Sequence, residues 1–250
     1  MTPALFSQGR RAWDAGEIVL RNVDDEAEAT WVAEFVGGVA QRGFRLAQPI
    51  RARDGRWVVD GWTAWTRVPG AHSTTRWPEL LTAAHALHEA IRNVARPEFI
   101  TRLTNRWRLA DGIAFGEVAA DEVAAVAHLD RLLAARRPVD LPSQLVHGDL
   151  VGNVLFADGL PPAIIDLSLY WRPVGYGAAL VVGDAIAWEG APTDLSRELA
   201  KYDEWPQLLL RAVIFRVVVS ELARRAEPWR KDVSAQYRAI VDLALSFINT

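Results

Sequence analysis

Apolar residues recur along this chain with two different periods, and the change of period divides it. From Gly16 to Arg21 the run GEIVLR is β-like. Asp24 and Asp25 then offer an N-cap to a helix that spaces Ala29, Val32, Ala33, Val36 and Val39 along one face. Gly43 ends that helix. Three further β-like segments, 45–52, 57–59 and 62–68, are separated by Asp54-Gly55 and Asp60-Gly61. Glycine relieves the positive-φ cost of a tight turn, so antiparallel pairing is expected. Pro69-Gly70 then interrupts the pattern.

Beyond that point the period is mostly helical. Pro78 suits the first turn of a helix running to about Val94, and 121–137 spaces Val123, Val126, Leu129, Leu132 and Leu133 on one side. Between Gln144 and Asp166 the pattern changes to short apolar runs, Leu145-Val146, Val154-Leu155-Phe156 and Ala163-Ile164-Ile165, which predict short strands presenting loop residues. From Gly175 onward three or four helices are expected, with Pro206 and Pro228 near their boundaries. No internal repeat or low-complexity tract interrupts this order. The expectation is an α+β chain with a small β-rich lobe at 1–69 and a larger helical lobe at 70–250.

The bulk numbers narrow the class. With 250 residues, half of them apolar and 24% charged, the chain has the balance of a globular enzyme or binding protein rather than a disordered segment. A net charge of −3 gives no reason to expect a nucleic-acid partner. There is no cysteine, which excludes disulfides, thiolate catalysis and Cys-bound metal clusters. Asp14, Glu17 and Arg21 interrupt the N-terminal region too early for a signal peptide, so a cytoplasmic protein is expected. The apolar stretches 176–182 and 208–222 fall short of the ~20 residues of a membrane span and read as buried helices.

The candidate chemistry lies in LVHGDLVGNVLF, residues 145–156, and AIIDLS, residues 163–168. Phosphoryl transfer asks little covalent work of a protein; it needs a cation held against the phosphates and a hydroxyl aimed in line. Asn153 and Asp166 supply hard oxygen ligands of the kind Mg²⁺ prefers. Asp149, after the strand Leu145-Val146, is suited to accept or orient the hydroxyl proton.

HGDLVGN followed by IID resembles the catalytic and metal-binding motifs of the aminoglycoside phosphotransferase and choline kinase group, relatives of protein kinases, and the resemblance covers the whole chain. It is also similar to an actinobacterial branch of that group. The resemblance implies a bilobal, protein-kinase-like fold and an ATP-dependent (or GTP-dependent), Mg²⁺-requiring kinase. The acceptor it implies is a hydroxyl of a small polar molecule: a sugar, amino sugar or aminoglycoside. Asp149 would be the catalytic base, Asn153 and Asp166 the Mg²⁺ ligands, His147 a support of the loop, and Asp184, in GDAIAW, a later buried aspartate bonded to the catalytic-loop backbone.

The chain departs from the family pattern in three places. Asn153 follows Asp149 by four residues where the family has five, and Gly152 is the residue able to absorb the difference. Arg21 stands where the family places the lysine that grips the α- and β-phosphates, and an arginine is not an equivalent replacement there. The helix glutamate that partners the lysine falls to Glu28, with Glu26 and Glu34 as alternatives. The nucleotide-covering segment 7–16 offers only Gly9 and Gly16, with Arg10 and Arg11 as candidate phosphate contacts. Thr66, Arg67 and Val68 fall where backbone groups would meet the base.

These departures keep a second reading open, a pseudokinase that binds nucleotide weakly or not at all. A serine hydrolase has no support, because no GxSxG elbow occurs. His85 and His88 lack the spacing of a zinc protease helix and read as helix surface or packing. Most of the 11 tryptophans are expected in the core, while Trp171 and Arg172 follow Asp166 closely enough to be candidate acceptor contacts.

Overall fold

The computed structural model describes residues 2–5, 11–102, 105–123, 126–199 and 201–248. Residues 7–10 of the covering segment, Gly9 and Arg10 included, therefore lie outside the described residues, and Arg11 is described only by its backbone.

Strands β1 (Thr2–Leu5), β2 (Arg11–Asp14) and β3 (Ile18–Asn22) form an antiparallel meander. Helix α1 (Glu26–Val36) starts where Asp25 Oδ1 accepts the Glu28 N–H at 3.0 Å, as its capping residue type predicts, and buries Val32, Ala33 and Val36. The expected single strand at 45–52 is two: β4 (Arg45–Leu46) and β5 (Pro49–Ile50) join different sheets. Segment 57–59 contributes only a bridge from Val59 to Trp62 at the start of β6 (Trp62–Thr66). Strand β6 lies antiparallel between β3 and β5, with Arg21 opposite Thr63 and Ile18 opposite Thr66. Helix α2 (Trp77–Ala90) carries Pro at its start and buries Leu80, Ala83, Ala84 and Leu87, the i, i+3, i+4, i+7 stripe of a core helix.

Helix α3 (Arg106–Phe115), which the apolar pattern did not mark, is bounded by an Asn105 side chain accepting two N–H groups and by Gly116 in the left-handed region. The helix expected at 121–137 is broken. A single 3₁₀ turn covers Asp121–Val123, His128 adopts φ +70°, and α4 (Leu129–Ala135) is all that continues. Val123, Leu129 and Leu132 are nevertheless fully buried, so the apolar stripe reported burial correctly and continuity wrongly.

Strand β7 (Gln144–His147) is followed by β8 (Val154–Leu155), β9 (Ala163–Ile164) and β10 (Leu169–Arg172). The rest is helical: α5 (Val174–Trp188), α6 (Leu195–Glu198), α7 (Trp205–Ala226) and α8 (Arg238–Ile248). Among the described residues no helix is long and apolar enough to cross a membrane.

Contacts divide the chain into two compact units, Met1–Val94 with Asp149–Ser168, and Ala95–Gly148 with Leu169–Thr250. In the first unit, β9 is paired on both sides, parallel to β4 and antiparallel to β8. That pairing makes 149–168 part of the N-terminal unit although it is distant in sequence. In the second unit α7 is the central element, buried along most of its length and packed by α3, α4, α5 and α8, while β7 and β10 pair antiparallel.

Candidate active site

The first unit brings the motif residues together through strand pairing. Val154 lies opposite Ile164, and the ladder is extended by Ile165 N–H donating to the Asn153 carbonyl at 2.9 Å. Asn153 and Asp166 are thereby held at the same end of one hairpin. The turn before Asn153 closes with its N–H donating to Leu150 O at 3.0 Å, and Gly152 takes φ +84° within it. A left-handed residue lets the chain reverse tightly, and Gly152 supplies it in this turn.

The Asn153 amide is oriented by its donors. Nδ2 donates to the Asp149 carbonyl at 2.7 Å and to Asp149 Oδ2 at 3.2 Å. Both partners are acceptors, which fixes Oδ1 as the other end of the amide. Asn153 is 1% exposed and Oδ1 has no hydrogen-bond partner among the described residues. A buried carbonyl-type oxygen without a donor costs free energy unless something electropositive meets it. At the same hairpin end as Asp166, that oxygen is of the hard kind a divalent cation prefers. Among the described residues no group of three His, Cys, Asp or Glu side chains forms a complete metal cage.

Asp166 has φ +51°, a left-handed conformation that aspartate tolerates better than most residues. Its Oδ1 accepts from Arg21 Nη2, an ion pair in which the two side chains are 19% (Arg21) and 11% (Asp166) exposed. Arg21 therefore meets Asp166 directly across β3 and the end of β9. Both line a cavity of about 750 Å³ within the first unit. Val19, Val36, Leu46, Trp65, Leu155 and Ile164 form its apolar part, and Thr66, Arg67 and Val68 also line it. Thr66 is held by Gln48, its N–H donating to Gln48 O and its Oγ1 accepting from Gln48 N–H, both at 2.8 Å. Arg67 donates its N–H to Glu17 O at 2.9 Å and pairs with Asp14 at 3.4 Å. Glu28 stands half-buried in the first turn of α1.

The other expected residues fall in the second unit. His147 is fully buried at the end of β7, opposite Leu169. Asp184, on α5, forms a buried ion pair with Arg216 of α7, and the same guanidinium donates to the Gly148 carbonyl at 3.1 Å. A Cβ on Gly148 would come within 2.5 Å of the Tyr170 ring. The residue preceding Asp149 is thus gripped by a cation at its carbonyl and by an aromatic ring where a side chain would be. Sequence reasoning gave Arg216 no role; its signal was one of two arginines, with Arg211, in the otherwise apolar run Leu208–Val219.

Arg172 is not available as an acceptor contact. It is 8% exposed, donates to both Asp111 oxygens at 2.6–3.2 Å and to Glu117 at 2.6 and 2.8 Å, and stacks 3.9 Å from the Phe115 ring. Its hydrogen bonds hold the Glu117 carboxyl below the usual range. Its role is to fasten α3 to β10. On α2, His88 is buried and His85 exposed, so the pair does not present one metal face.

A model of the phosphotransferase enzyme family (APH) matches residues 5–179, more than half of the chain. No curated protein sequence matches it. Among solved structures, a thermostable mutant of aminoglycoside phosphotransferase APH(4)-Ia in its apo form shares 16% identity over 96% of this chain and 93% of its own, with a TM-score of 0.59. A further thermostable mutant of that enzyme, in a ternary complex with AMP-PNP and hygromycin B, aligns with a TM-score of 0.58 at 18% identity, over 97% and 93% of the two chains. The GDP complex of wild-type aminoglycoside 2'-phosphotransferase-IIIa gives 0.55 at 14% identity, over 100% and 93%. At such identities the likeness speaks for the fold, which is the kinase-like α+β fold of these enzymes. It is the family model, spanning both motif segments on one continuous match, that decides membership: this chain belongs to the phosphotransferase enzyme family.

Proposed function

We propose that this phosphotransferase moves the γ-phosphoryl group of ATP to a hydroxyl of a small polar molecule, a sugar, amino sugar or aminoglycoside, in the cytoplasm. The observation that carries the reading is the Asn153 amide, tied through Nδ2 to Asp149 while its buried Oδ1 has no protein donor among the described residues. In this reading Asn153 Oδ1 and Asp166 hold Mg²⁺, which would supply charge neutralisation on the phosphates.

The remaining roles belong to the same proposal. The base enters the apolar part of the cavity, where the half-buried Val68 makes no backbone hydrogen bond among the described residues and so has an N–H and a C=O to offer. Thr66, the last residue of β6, lines the same cavity. Arg21 serves the phosphates, with Glu28 as its helix partner. Asp149 accepts the proton as the acceptor oxygen bonds to phosphorus and the bond from phosphorus to the β-phosphate oxygen breaks, releasing ADP. His147 and the Asp184–Arg216 pair support the loop. In this scheme residues 1–69 cover the nucleotide and 70–250 carry the catalytic loop.

The test is turnover of Mg·ATP by purified protein with a panel of hydroxyl acceptors, and its loss in Asp149→Ala. Turnover that persists in that variant removes Asp149 from the role. A second reading is favoured by the Arg21–Asp166 pair, which occupies the metal-binding carboxylate: a pseudokinase. A thermal shift on adding Mg·ATP separates a nucleotide-binding protein from one that does not bind. A GTP arm in the same assay decides between nucleotides.

A further inference from the structure

The ion pair between Arg21 and Asp166 joins two groups that the proposed reaction needs apart. Arg21, on β3, is the cation assigned to the phosphates, and Asp166, at the end of β9, is the carboxylate assigned to the metal. Arg21 Nη2 instead donates to Asp166 Oδ1, with both side chains largely withdrawn from water. A guanidinium cannot lose its charge in a protein, so a second anion within reach favours its leaving this largely buried carboxylate. A magnesium ion gives up its water reluctantly and would compete for the same oxygen against a cation already in contact. The remaining protein ligand, the neutral Asn153 Oδ1, offers no charge to offset that competition.

We propose that Arg21 and the divalent cation occupy Asp166 in turn, and that the phosphates of the incoming nucleotide drive the exchange. Without nucleotide, the guanidinium neutralises Asp166 and closes the metal site. When the phosphates arrive, Arg21 transfers to them, its fork matching their oxygens, and Asp166 is released to the cation. The chain therefore takes up free metal poorly and the metal–nucleotide complex as a unit. This rests on the nucleotide reading above and adds to it a reason for arginine at position 21: its permanent charge and fixed fork hold the carboxylate in the empty protein.

Mn²⁺, an oxygen-seeking substitute observable by electron paramagnetic resonance, reports the site directly, without an acceptor and without turnover. In native protein without nucleotide, Asp166→Asn should change the affinity for free Mn²⁺ by less than about twofold, because the carboxylate is already taken. With saturating ADP the same substitution should weaken Mn²⁺ binding by at least about tenfold. Arg21→Met and Arg21→Gln, checked for folding by circular dichroism, should each raise the affinity for free Mn²⁺ by about tenfold or more, and adding Asp166→Asn should cancel the gain. Adenosine, which lacks phosphates, should not raise Mn²⁺ affinity in native protein.

Native protein that binds free Mn²⁺ through Asp166, or folded Arg21 variants that gain nothing, would overturn the exchange while leaving nucleotide binding intact. If ADP binds neither the native protein nor the variants, the nucleotide reading falls and the exchange falls with it.

Discussion

The buried pair Asp184–Arg216 carries a prediction whose size can be worked from its surroundings. Side-chain exposure is 6% for Arg216 and 8% for Asp184, and the guanidinium also holds the Gly148 carbonyl. Asp184→Ala removes the only negative charge in this pair and leaves a permanent cation in an apolar helix interface. Breaking one side of a buried ion pair costs about 3–5 kcal/mol. At roughly 2–4 °C per kcal/mol for a chain of this size, the melting temperature should fall by about 6–20 °C. Replacing both partners with apolar residues, Asp184→Leu with Arg216→Met, removes the stranded charge and takes from the Gly148 carbonyl this donor, a cost of about 1–3 kcal/mol.

The double variant should therefore be the more stable of the two, by about 2 kcal/mol, in urea unfolding followed by tryptophan fluorescence. Turnover should separate from stability. In the double variant the carbonyl preceding Asp149 loses the Arg216 donor, and if Asp149 has the proposed role, a displacement on the order of 1 Å should cost about 10²-fold in rate. A single Asp184→Ala variant that unfolds within about 1 kcal/mol of the native protein would refute the claim that the pair is buried and coupled. So would a double variant less stable than the single one.

Other substitutions test separate parts of the structure. Gly152→Ala places a Cβ at φ +84° and should cost about 1–2 kcal/mol in urea unfolding while weakening Mn²⁺ binding in the presence of ADP; an unchanged protein would show that the turn does not need its glycine. Tyr176→Phe removes a buried hydroxyl without a partner among the described residues and should leave stability unchanged or raise it by up to about 1 kcal/mol; a loss beyond that would reveal a hydrogen bond. Burial pushes the Tyr237 hydroxyl up to about 12, against an ordinary value near 10. A raised folded value means stability fully present below about pH 10 and lost as pH rises toward 12. Native protein should thus lose about 1 kcal/mol more than Tyr237→Phe between about pH 9 and about pH 11 in urea titrations, and parallel losses would contradict the assignment. Arg172→Lys should destabilise by at least about 2 kcal/mol in the same unfolding assay, because an ammonium cannot reproduce the paired bonds to Asp111 and Glu117; full stability in that variant would show that charge alone suffices.

Local signals carried much of the fold. Asp25 capping α1, the stripe Leu80, Ala83, Ala84 and Leu87, and the glycine turns before β6 depend on neighbours a few residues away, and these were legible from composition and period. The residue types and spacing of HGDLVGN and IID likewise mark Asp149, Asn153 and Asp166 as candidates, and Gly152 does take the left-handed conformation of a tight turn. Where the pattern misled, a distant partner was responsible or the backbone broke without a sequence signal. Segment 45–52 reads as one strand because its apolar content is continuous, yet β4 takes β9 as its partner and β5 takes β6. The stripe over 121–137 is satisfied by burial, which tolerates the left-handed break at His128.

What the sequence by itself determined, then, was which side chains are chemically able to act and which faces must be buried, since both follow from the residue and its near neighbours. Which groups touch was decided only by the tertiary structure. Arg21 and Asp166, 145 positions apart, meet because β9 folds back onto the N-terminal unit through β4. Arg216 reaches the Gly148 carbonyl because α7 runs through the interior of the second unit. Arg172, open to substrate on sequence grounds, is withdrawn by Asp111 and Glu117. An ion pair across such separations has no local signature: its energy depends on the burial and orientation of both ends, and neither exists until the chain has folded.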